Sequence, residues 1–437
     1  MSKAVGIYLH VPFCGGKCPY CDFYSRRGSG EDYDRFLAAA VRAIEAAPVS
    51  GEVSADTVYF GGGTPVLLGA RRLNRLLSAV QKRFGAAQRE ITVEANPCAV
   101  GPEMLEELRA GGFTRISFGV QSLFEPTLQT LGRKHDAARA IEALREAARA
   151  GFAHISADLM LAVPGQTAEE IERSVDLLAA EPIDHLSAYL LKLEPGTAFA
   201  GRFDEPDEDF AAACYLAMAR RSESHGFSQY EISNFARNSA AQSLHNLRYW
   251  RCGEYLGIGP AAHSFWNGRR FYFPRDLRSF LDAPDVWRLT VGDGPGGDEE
   301  ERVMLGLRLA EGIALDSLSD ECRTAVERAA RRLDGSGLLR WEKGRIALTR
   351  EGFLVSNAVI AALLLLCGFA AYQLGWFDPW LQKPSRDPVQ TVQSAIEGQA
   401  GKEYTISVRI DDIKVDEDET ARVIAMYTGS ELAQARG

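Results

Sequence analysis

Residues 10–23 read His-Val-Pro-Phe-Cys-Gly-Gly-Lys-Cys-Pro-Tyr-Cys-Asp-Phe, and they bring Cys14, Cys18 and Cys21 into one short stretch. The spacings are Cys-x3-Cys and Cys-x2-Cys, with two glycines and a proline between the thiols. Such a backbone can turn until the three sulfur atoms face one point. This spacing of thiols is typical of a metal-binding loop.

Three kinds of site use thiols in this way: structural zinc, a disulfide with a spare thiol, and an iron-sulfur cluster. Structural zinc normally takes four protein ligands, and the nearby fourth candidate, His10, is predicted to lie on a strand. The other five cysteines are scattered, which favours a reducing compartment over a disulfide framework. Three thiolates suit a 4Fe-4S cluster and leave one iron open to a substrate or cofactor. We therefore favour a catalytic or sensory cluster.

The composition is that of a folded globular protein with two or three domains. The chain has 437 residues, 46% of them hydrophobic. Its net charge of −10 gives no general attraction to nucleic acid, so we expect no nucleic-acid partner. The first residues carry no secretory signal, and the expected location is the cytoplasm.

Around the cysteine loop, the segment from Cys14 to Cys21, the chain alternates short apolar strands with amphipathic helices. Strands are predicted at 5–10, 57–60, 91–95, 115–120, 155–161 and 187–191, and helices at 31–47, 71–84, 102–110, 137–150 and 168–180. This alternation predicts a parallel sheet with helical crossovers over residues 1–195. Polar or glycine-rich segments follow most of these strands, and in such folds the carboxyl ends of the strands share one mouth. The segments therefore predict a single pocket beside the cysteine loop.

The remaining segments differ in character. Residues 196–300 are predicted to form a lid or extension across the mouth, and residues 301–352 a small winged-helix-like α+β domain with a hairpin around Lys343-Gly344. Residues 353–377 lack charge, which predicts a transmembrane helix, or else a buried closing helix that ends near Leu364. The tail, 378–437, is polar and its role is not predicted.

Several motifs together resemble the radical S-adenosylmethionine superfamily and, within it, the oxygen-independent coproporphyrinogen III oxidase-like group in its HemW-like haem chaperone branch. The matching segments are residues 7–14, 60–65, 94–97, 119–122, 132–133, 158–160, 164–167 and His245-Asn246-x-x-Tyr249-Trp250. The resemblance covers about residues 4–364. It implies an α/β fold built on a partial (β/α)6 TIM-like barrel.

The resemblance also implies the cofactors and their ligands. Cys14, Cys18 and Cys21 would hold the 4Fe-4S cluster, and S-adenosylmethionine would bind the open iron. Its other contacts would come from residues that match the family motifs: Tyr8, Tyr20, Gly62, Gly63, Thr64, Glu94, Gln121, Arg133 and Asp158. Arginine and carboxylate side chains suit the charged groups of this ligand. Turns and helix caps are the structural alternatives for the glycines and the two carboxylates.

One position favours a haem chaperone over an oxidase. The oxidases that this loop resembles carry a further cysteine two residues after the third, and this chain has Phe23 there. We therefore expect haem binding and transfer to acceptor haemoproteins of the respiratory chain. The alternative is a radical enzyme that acts on a porphyrin, such as a coproporphyrinogen III oxidase or dehydrogenase.

The predicted haem site is the His245-Asn246-x-x-Tyr249-Trp250 segment. His245 offers an imidazole ligand, and the two aromatic rings could pack against a porphyrin. A hydrogen-bonded structural histidine is the alternative reading, and His263 is the rival ligand. A membrane anchor over residues 353–377 would attach the protein to the inner membrane near its acceptors.

Overall fold

The computed structural model describes residues 3–86 and 88–367. By its internal contacts the chain divides into two compact units, one up to Gly297 and one from Asp298 onward.

Six parallel strands, joined by helical crossovers, form the centre of the first unit. The strands are β1 (Lys3–Val11), β2 (Val53–Gly62), β3 (Glu90–Ala95), β4 (Arg115–Gln121), β5 (His154–Leu161) and β6 (His185–Leu190). The helices between them are α1 (Gly30–Glu45), α2 (Ala70–Phe84), α3 (Pro102–Ala110), α4 (Glu125–Thr130), α5 (Ala137–Arg149) and α6 (Ala168–Ala179). Neighbouring strands pair in parallel from β1 to β6. The predicted strand-helix alternation is confirmed, although α4 was not predicted.

The two faces of this sheet differ in chemistry. Ile155, Ala157 and Leu159 of β5 are buried. They share one face of the strand, because successive side chains point to opposite faces. Ser156 and Asp158 therefore belong to the other face, where they pair with polar groups of neighbouring strands. Parallel sheets are usually apolar on both faces. The polar face, called the inner face below, is consequently the candidate binding surface.

The segment from 196 to 297 extends the sheet at both edges. Its elements are α7 (Glu208–Ser224), β7 (Ser228–Gln229), β8 (Asn234–Ala236), α8 (Leu244–Trp250), β9 (Tyr255–Ile258), β10 (His263–Trp266), β11 (Arg269–Tyr272), α9 (Leu277–Asp282) and β12 (Val291–Pro295). Within the described residues, the strand order is β12-β11-β10-β9-β1-β2-β3-β4-β5-β6-β8-β7. β9 runs parallel to β1, whereas β8 runs antiparallel to β6.

Residues 241–245 lie at the amino end of the parallel strands. Glu90, the first residue of β3, accepts hydrogen bonds from the backbone N–H groups of Leu244 and His245, both at 3.0 Å. Arg115, the first residue of β4, donates to the carbonyl of Ala241 at 2.7 Å and pairs with Glu90 at 3.0 Å. Residues 241–245 therefore close the end of the strands opposite the cysteine loop. Other residues of the predicted lid lie beside that loop, where Arg275 pairs with Asp22 at 3.0 Å and Leu277 N–H donates to the Tyr24 hydroxyl at 2.9 Å. The lid over residues 196–300 stays a prediction. We call residues 241–250 the plug.

The second unit contains a small antiparallel sheet and four helices in its described part. The elements are α10 (Glu299–Gly306), β13 (Ile313–Ala314), α11 (Asp320–Arg332), β14 (Leu339–Glu342), β15 (Arg345–Leu348), α12 (Arg350–Leu354) and α13 (Ser356–Leu366). The sheet order is β13-β15-β14. Lys343 and Gly344 have positive φ angles of 51° and 72°, as a two-residue hairpin turn requires. The predicted hairpin is confirmed.

The apolar segment after residue 352 contains the end of α12 and the whole of α13. α13 packs against α11, and Ile360, Leu363 and Leu364 are buried. In the described part of the chain, no helix has the length and apolar character needed to cross a bilayer. The described residues thus fit the closing-helix alternative, whereas residues 368–377 of the predicted transmembrane segment, and the tail 378–437, lie outside them.

Candidate cofactor site

The glycine-rich segment after β2 packs directly against the cysteine loop. Gly63 N–H donates to the Val11 carbonyl at 2.9 Å, and Thr64 N–H donates to the Phe13 carbonyl at 2.7 Å. A Cβ atom on Gly63 would lie 2.3 Å from that Phe13 oxygen. Gly62 has a φ of +114°, and a Cβ there would meet the His10 ring at 2.9 Å. These glycines are therefore required for backbone packing, which is a more specific role than the tight turn considered from the sequence.

The three predicted cluster ligands are partly exposed cysteines that form no disulfide bond. Cys14 Sγ lies 3.4 Å from the Thr64 hydroxyl. Burial raises the pKa of Cys21, and the nearby Cys18 and Cys14 raise it further, which places all three thiols within electrostatic reach of one another. Among the described residues, no three His, Cys, Asp or Glu side chains are grouped closely enough to hold a metal ion as they stand. The ligand assignment remains a prediction.

Arg133 and Gln121, two of the predicted cofactor-binding residues, each have a buried polar atom without a hydrogen-bond partner in the described structure. Arg133 donates from Nη2 to the Gly119 carbonyl at 2.6 Å, and its Nη1 lies 3.7 Å from Cys18 Sγ. Its Nε and the Oε1 atom of Gln121 have no partner. Gln121 also has a φ of 68°, which is unusual outside glycine. An unpaired buried polar atom costs free energy, so both side chains fit a polar ligand at this edge of the sheet.

Glu94 lies on the inner face near the glycine-rich segment. Its carboxylate accepts hydrogen bonds from the Tyr59 hydroxyl at 2.9 Å and from Gly62 N–H at 3.2 Å. Burial raises its pKa to about 7, although the two hydrogen bonds oppose that shift and part of the side chain stays exposed. Tyr8 lies nearby, and its hydroxyl is 3.1 Å from His10 Nδ1. The carboxyl is thus surrounded by protein atoms but remains partly exposed. We call the space around it the crevice.

Asp158 provides a second carboxyl on the same face. It accepts hydrogen bonds from the hydroxyls of Ser117 at 2.9 Å and Ser156 at 3.4 Å. Burial raises its pKa to about 6, and its charge in turn raises the pKa of Glu94. The structure therefore brings the two predicted carboxylates into one electrostatic neighbourhood.

The ring of Tyr20 packs on a hydrophobic cluster, while its hydroxyl hydrogen-bonds with Arg133. It packs against buried residues that lie on the loops and strand ends around it: Leu131, Met160, Val163, Leu191 and Phe199. Phe199 N–H also donates to the Pro19 carbonyl at 3.0 Å. The side chain of Tyr20 thus holds the second half of the cysteine loop in place, and its predicted contact with the cofactor remains untested.

The predicted haem segment lies in the plug, at the far end of the strands. His245 is buried, with Nδ1 2.9 Å from the Thr57 hydroxyl and Nε2 2.8 Å from the Tyr249 hydroxyl. Burial lowers its pKa to about 3. Both ring nitrogens already have hydrogen-bond partners, so the geometry disfavours His245 as an iron ligand. Asn246 and Trp250, which belong to the same segment, are half-buried. The rival ligand, His263, is exposed and stacks on Tyr272 with ring centroids 5.1 Å apart.

Sequence reasoning missed the supporting polar residues of the inner face, chiefly Tyr59, Ser117 and Ser156. The signal was present, because polar side chains recur at every second position in strands that should be apolar on both faces. Tyr59 is aligned with Tyr8 in the β1–β2 register, and Ser117 with Ser156 in the β4–β5 register. A search for polar alternation would have identified this face.

Comparison with known families gives two matches. The radical SAM superfamily matches residues 8–178, and the HemN C-terminal domain matches residues 299–355. "Heme chaperone HemW" of Mycobacterium tuberculosis is 37% identical over 377 residues, which cover 83% of this chain and 95% of that protein. The Bacillus subtilis protein of the same name is 31% identical over 384 residues, covering 82% and 98%.

A solved structure has a similar fold. Coproporphyrinogen III oxidase (HemN) from Escherichia coli, described as a radical SAM enzyme, superposes with a TM-score of 0.70. The alignment covers 84% of this chain and 91% of that one, at 19% identity. At that identity the likeness shows the fold alone.

Proposed function

This chain belongs to the HemW haem chaperone family of the radical SAM superfamily, and on that basis we propose that it binds haem and transfers it to acceptor haemoproteins. The observation that carries the proposal is the 37% identity that extends over 95% of a HemW protein. Respiratory cytochromes are the acceptors that we propose.

We propose that the carboxyl ends of the strands hold a 4Fe-4S cluster and S-adenosylmethionine. Cys14, Cys18 and Cys21 would bind the cluster, whose open iron would supply one-electron chemistry when the group is present. The Arg133 side chain would pair with the cofactor's carboxylate. Its unpartnered Nε and the unpartnered Oε1 of Gln121 support a polar ligand here.

Further contacts to S-adenosylmethionine would come from the residues around the crevice. Glu94 and Asp158 accept hydrogen bonds from amine or hydroxyl groups when ionised, and each already has two or more donors that hold it in place. Gly62, Gly63 and Thr64 lie where the end of β2 meets the cysteine loop, and Tyr8 lies within β1 opposite Tyr59 of β2. Their backbone packing keeps this wall of the crevice rigid.

Phe23, two residues after the last cysteine of the loop, supports a carrier over an oxidase. Phe23 is 67% exposed and cannot supply the thiolate that the resembling oxidases carry at this position. An oxidase reaction would therefore lack one of its thiols in this chain.

The test is anaerobic reconstitution of the cluster, followed by three assays on the same sample. These are haem uptake followed by Soret absorbance, haem transfer to an apo-haemoprotein, and turnover of coproporphyrinogen III with S-adenosylmethionine. We expect saturable uptake and transfer without turnover. Turnover without haem uptake would contradict the proposal.

We propose that the protein is cytoplasmic. The scattered cysteines favour the cytoplasm. A membrane anchor over residues 353–377 finds no support in the described helices. Carbonate extraction of membranes tests it, because an anchored protein stays in the pellet and a protein without an anchor is released.

A further inference from the structure

The cysteine loop carries an exposed aromatic ring just after its last cysteine and cations around its glycine pair. Phe23 is 67% exposed, more than any other large apolar side chain of the described residues. Its backbone N–H donates to the Cys21 sulfur, which ties it to the loop. A flat apolar ligand would cover this ring.

Three lysine and arginine side chains surround the tip of the same loop. Gly16 has Lys134 Nζ 3.7 Å and Arg27 Nη2 3.9 Å from where its Cβ atom would lie, so both cations flank one point. Lys17 is exposed and acts electrostatically on Cys21. Lys134 donates to the Gly15 carbonyl at 3.5 Å, and no ion pair is recorded for Lys17, Arg27 or Lys134 in the described part of the chain.

The local charge contrasts with that of the whole chain. The protein carries a net charge of −10, yet the cations at this loop outnumber its carboxylates. The nearest acidic side chain along the loop, Asp22, pairs with Arg275 at 3.0 Å and so does not neutralise the other cations. Unpaired cations of this kind suit carboxylate groups of a ligand. We call Lys17, Phe23, Arg27 and Lys134 the loop rim.

We propose that the loop rim is the docking site for haem, with Phe23 against the macrocycle and the cations on its two propionates. This inference rests on the proposed haem function. It places the cargo beside the cysteine loop, whereas the plug lies at the opposite end of the strands. Haem matches the surface because it joins a flat apolar ring to two carboxylates on one edge.

Titration of the full-length protein with haem and with haem dimethyl ester tests the role of the cations. The ester keeps the ring and iron but has no free carboxylates. We expect the wild type to bind haem about tenfold more tightly than the ester. The variant Arg27→Glu/Lys134→Glu should bind haem about tenfold more weakly and should no longer discriminate between the two ligands.

Further variants separate the ring from its surroundings. Phe23→Ala should weaken binding of both ligands about tenfold, because apolar contact is lost, and Phe23→Leu should restore most of it. Lys82→Glu on α2 and Leu177→Ala on α6 are the matched controls, since both side chains are exposed and lie in the last turns of helices that lead back to the amino end of the sheet. Both should bind as the wild type does.

Failure of the proposed haem function and failure of the proposed docking site give different results. If the wild type shows no saturable haem binding, the proposed haem function fails. If the wild type binds haem but does not prefer it over the ester, and the loop-rim variants bind normally, the docking site is wrong while the function stands.

Discussion

The Tyr59 hydroxyl donates a 2.9 Å hydrogen bond to the Glu94 carboxylate, and the Tyr59 ring packs 5.2 Å from the ring of His245. Tyr59 therefore connects the plug to the candidate cofactor crevice. His245 is itself fixed by the hydroxyls of Thr57 and Tyr249. The histidine of the predicted haem motif thus supports a residue that orients Glu94, even though it lies at the other end of the strands.

Tyr59→Phe should weaken S-adenosylmethionine binding about three- to tenfold, because Glu94 loses the donor that orients it. Isothermal titration of the reconstituted protein measures the affinity. Tyr272→Phe is the control, since that ring stacks on His263 outside the crevice. An unchanged affinity in Tyr59→Phe would show that the hydrogen bond does not orient Glu94 for the cofactor.

The stability of the protein should depend on the protonation of Glu94. Burial raises its pKa from 4.5 to about 7, so the folded protein binds more protons than the unfolded chain between these values. This contribution to stability is complete below about pH 4.5 and is lost as the pH rises through about 7. Glu94→Gln should therefore gain in melting temperature relative to the wild type as the pH is raised from about 5 to about 8.

Thermal melts of both proteins across this range measure the effect. Glu103→Gln, at an exposed position in the first turn of α3, is the control and should show a constant difference from the wild type. A constant difference for Glu94→Gln as well would refute the raised pKa.

Gly63→Ala should prevent assembly of the cysteine loop. Its Cβ would lie 2.3 Å from the Phe13 carbonyl oxygen, so the backbone of the loop must move, at a cost of about 1–3 kcal/mol. Iron and sulfide content after anaerobic reconstitution measures the outcome. Gly15→Ala is the matched control, because a Cβ there meets no atom within 4 Å. Equal iron content in the two variants would be inconsistent with this packing role.

Glu90→Ala should unfold the plug. Glu90 pairs with Arg115 and accepts two backbone hydrogen bonds from the start of α8, and its removal leaves a buried guanidinium without its carboxylate. We expect a loss of about 3–5 kcal/mol in the free energy of unfolding. Chemical denaturation measures the loss, and hydrogen exchange should rise across residues 241–250. Glu106→Ala, at an exposed position of α3, should leave both unchanged.

Much of the architecture was predictable because local patterns determine it. The five predicted crossover helices match α1, α2, α3, α5 and α6 to within two residues, since capping residues such as Ser29, Asp136 and Thr167 mark their starts. The six parallel strands were found from their apolar runs. The edge strands β7 to β12 were missed, because most have only two to four residues and their pairing partners are distant in the sequence.

The cysteine spacing and the recurring strand-helix units, read from the sequence alone, were enough to predict the fold class and the family, and they predict a cofactor site at the carboxyl ends of the strands. Sequence motifs carry this information because chelation and strand-helix alternation depend on residues close together in the chain. Only the tertiary structure decided that the His245 segment closes the opposite end, and that Tyr59 holds Glu94. Such relationships depend on contacts between residues far apart in the chain, such as Glu90 with His245, and no local pattern encodes them.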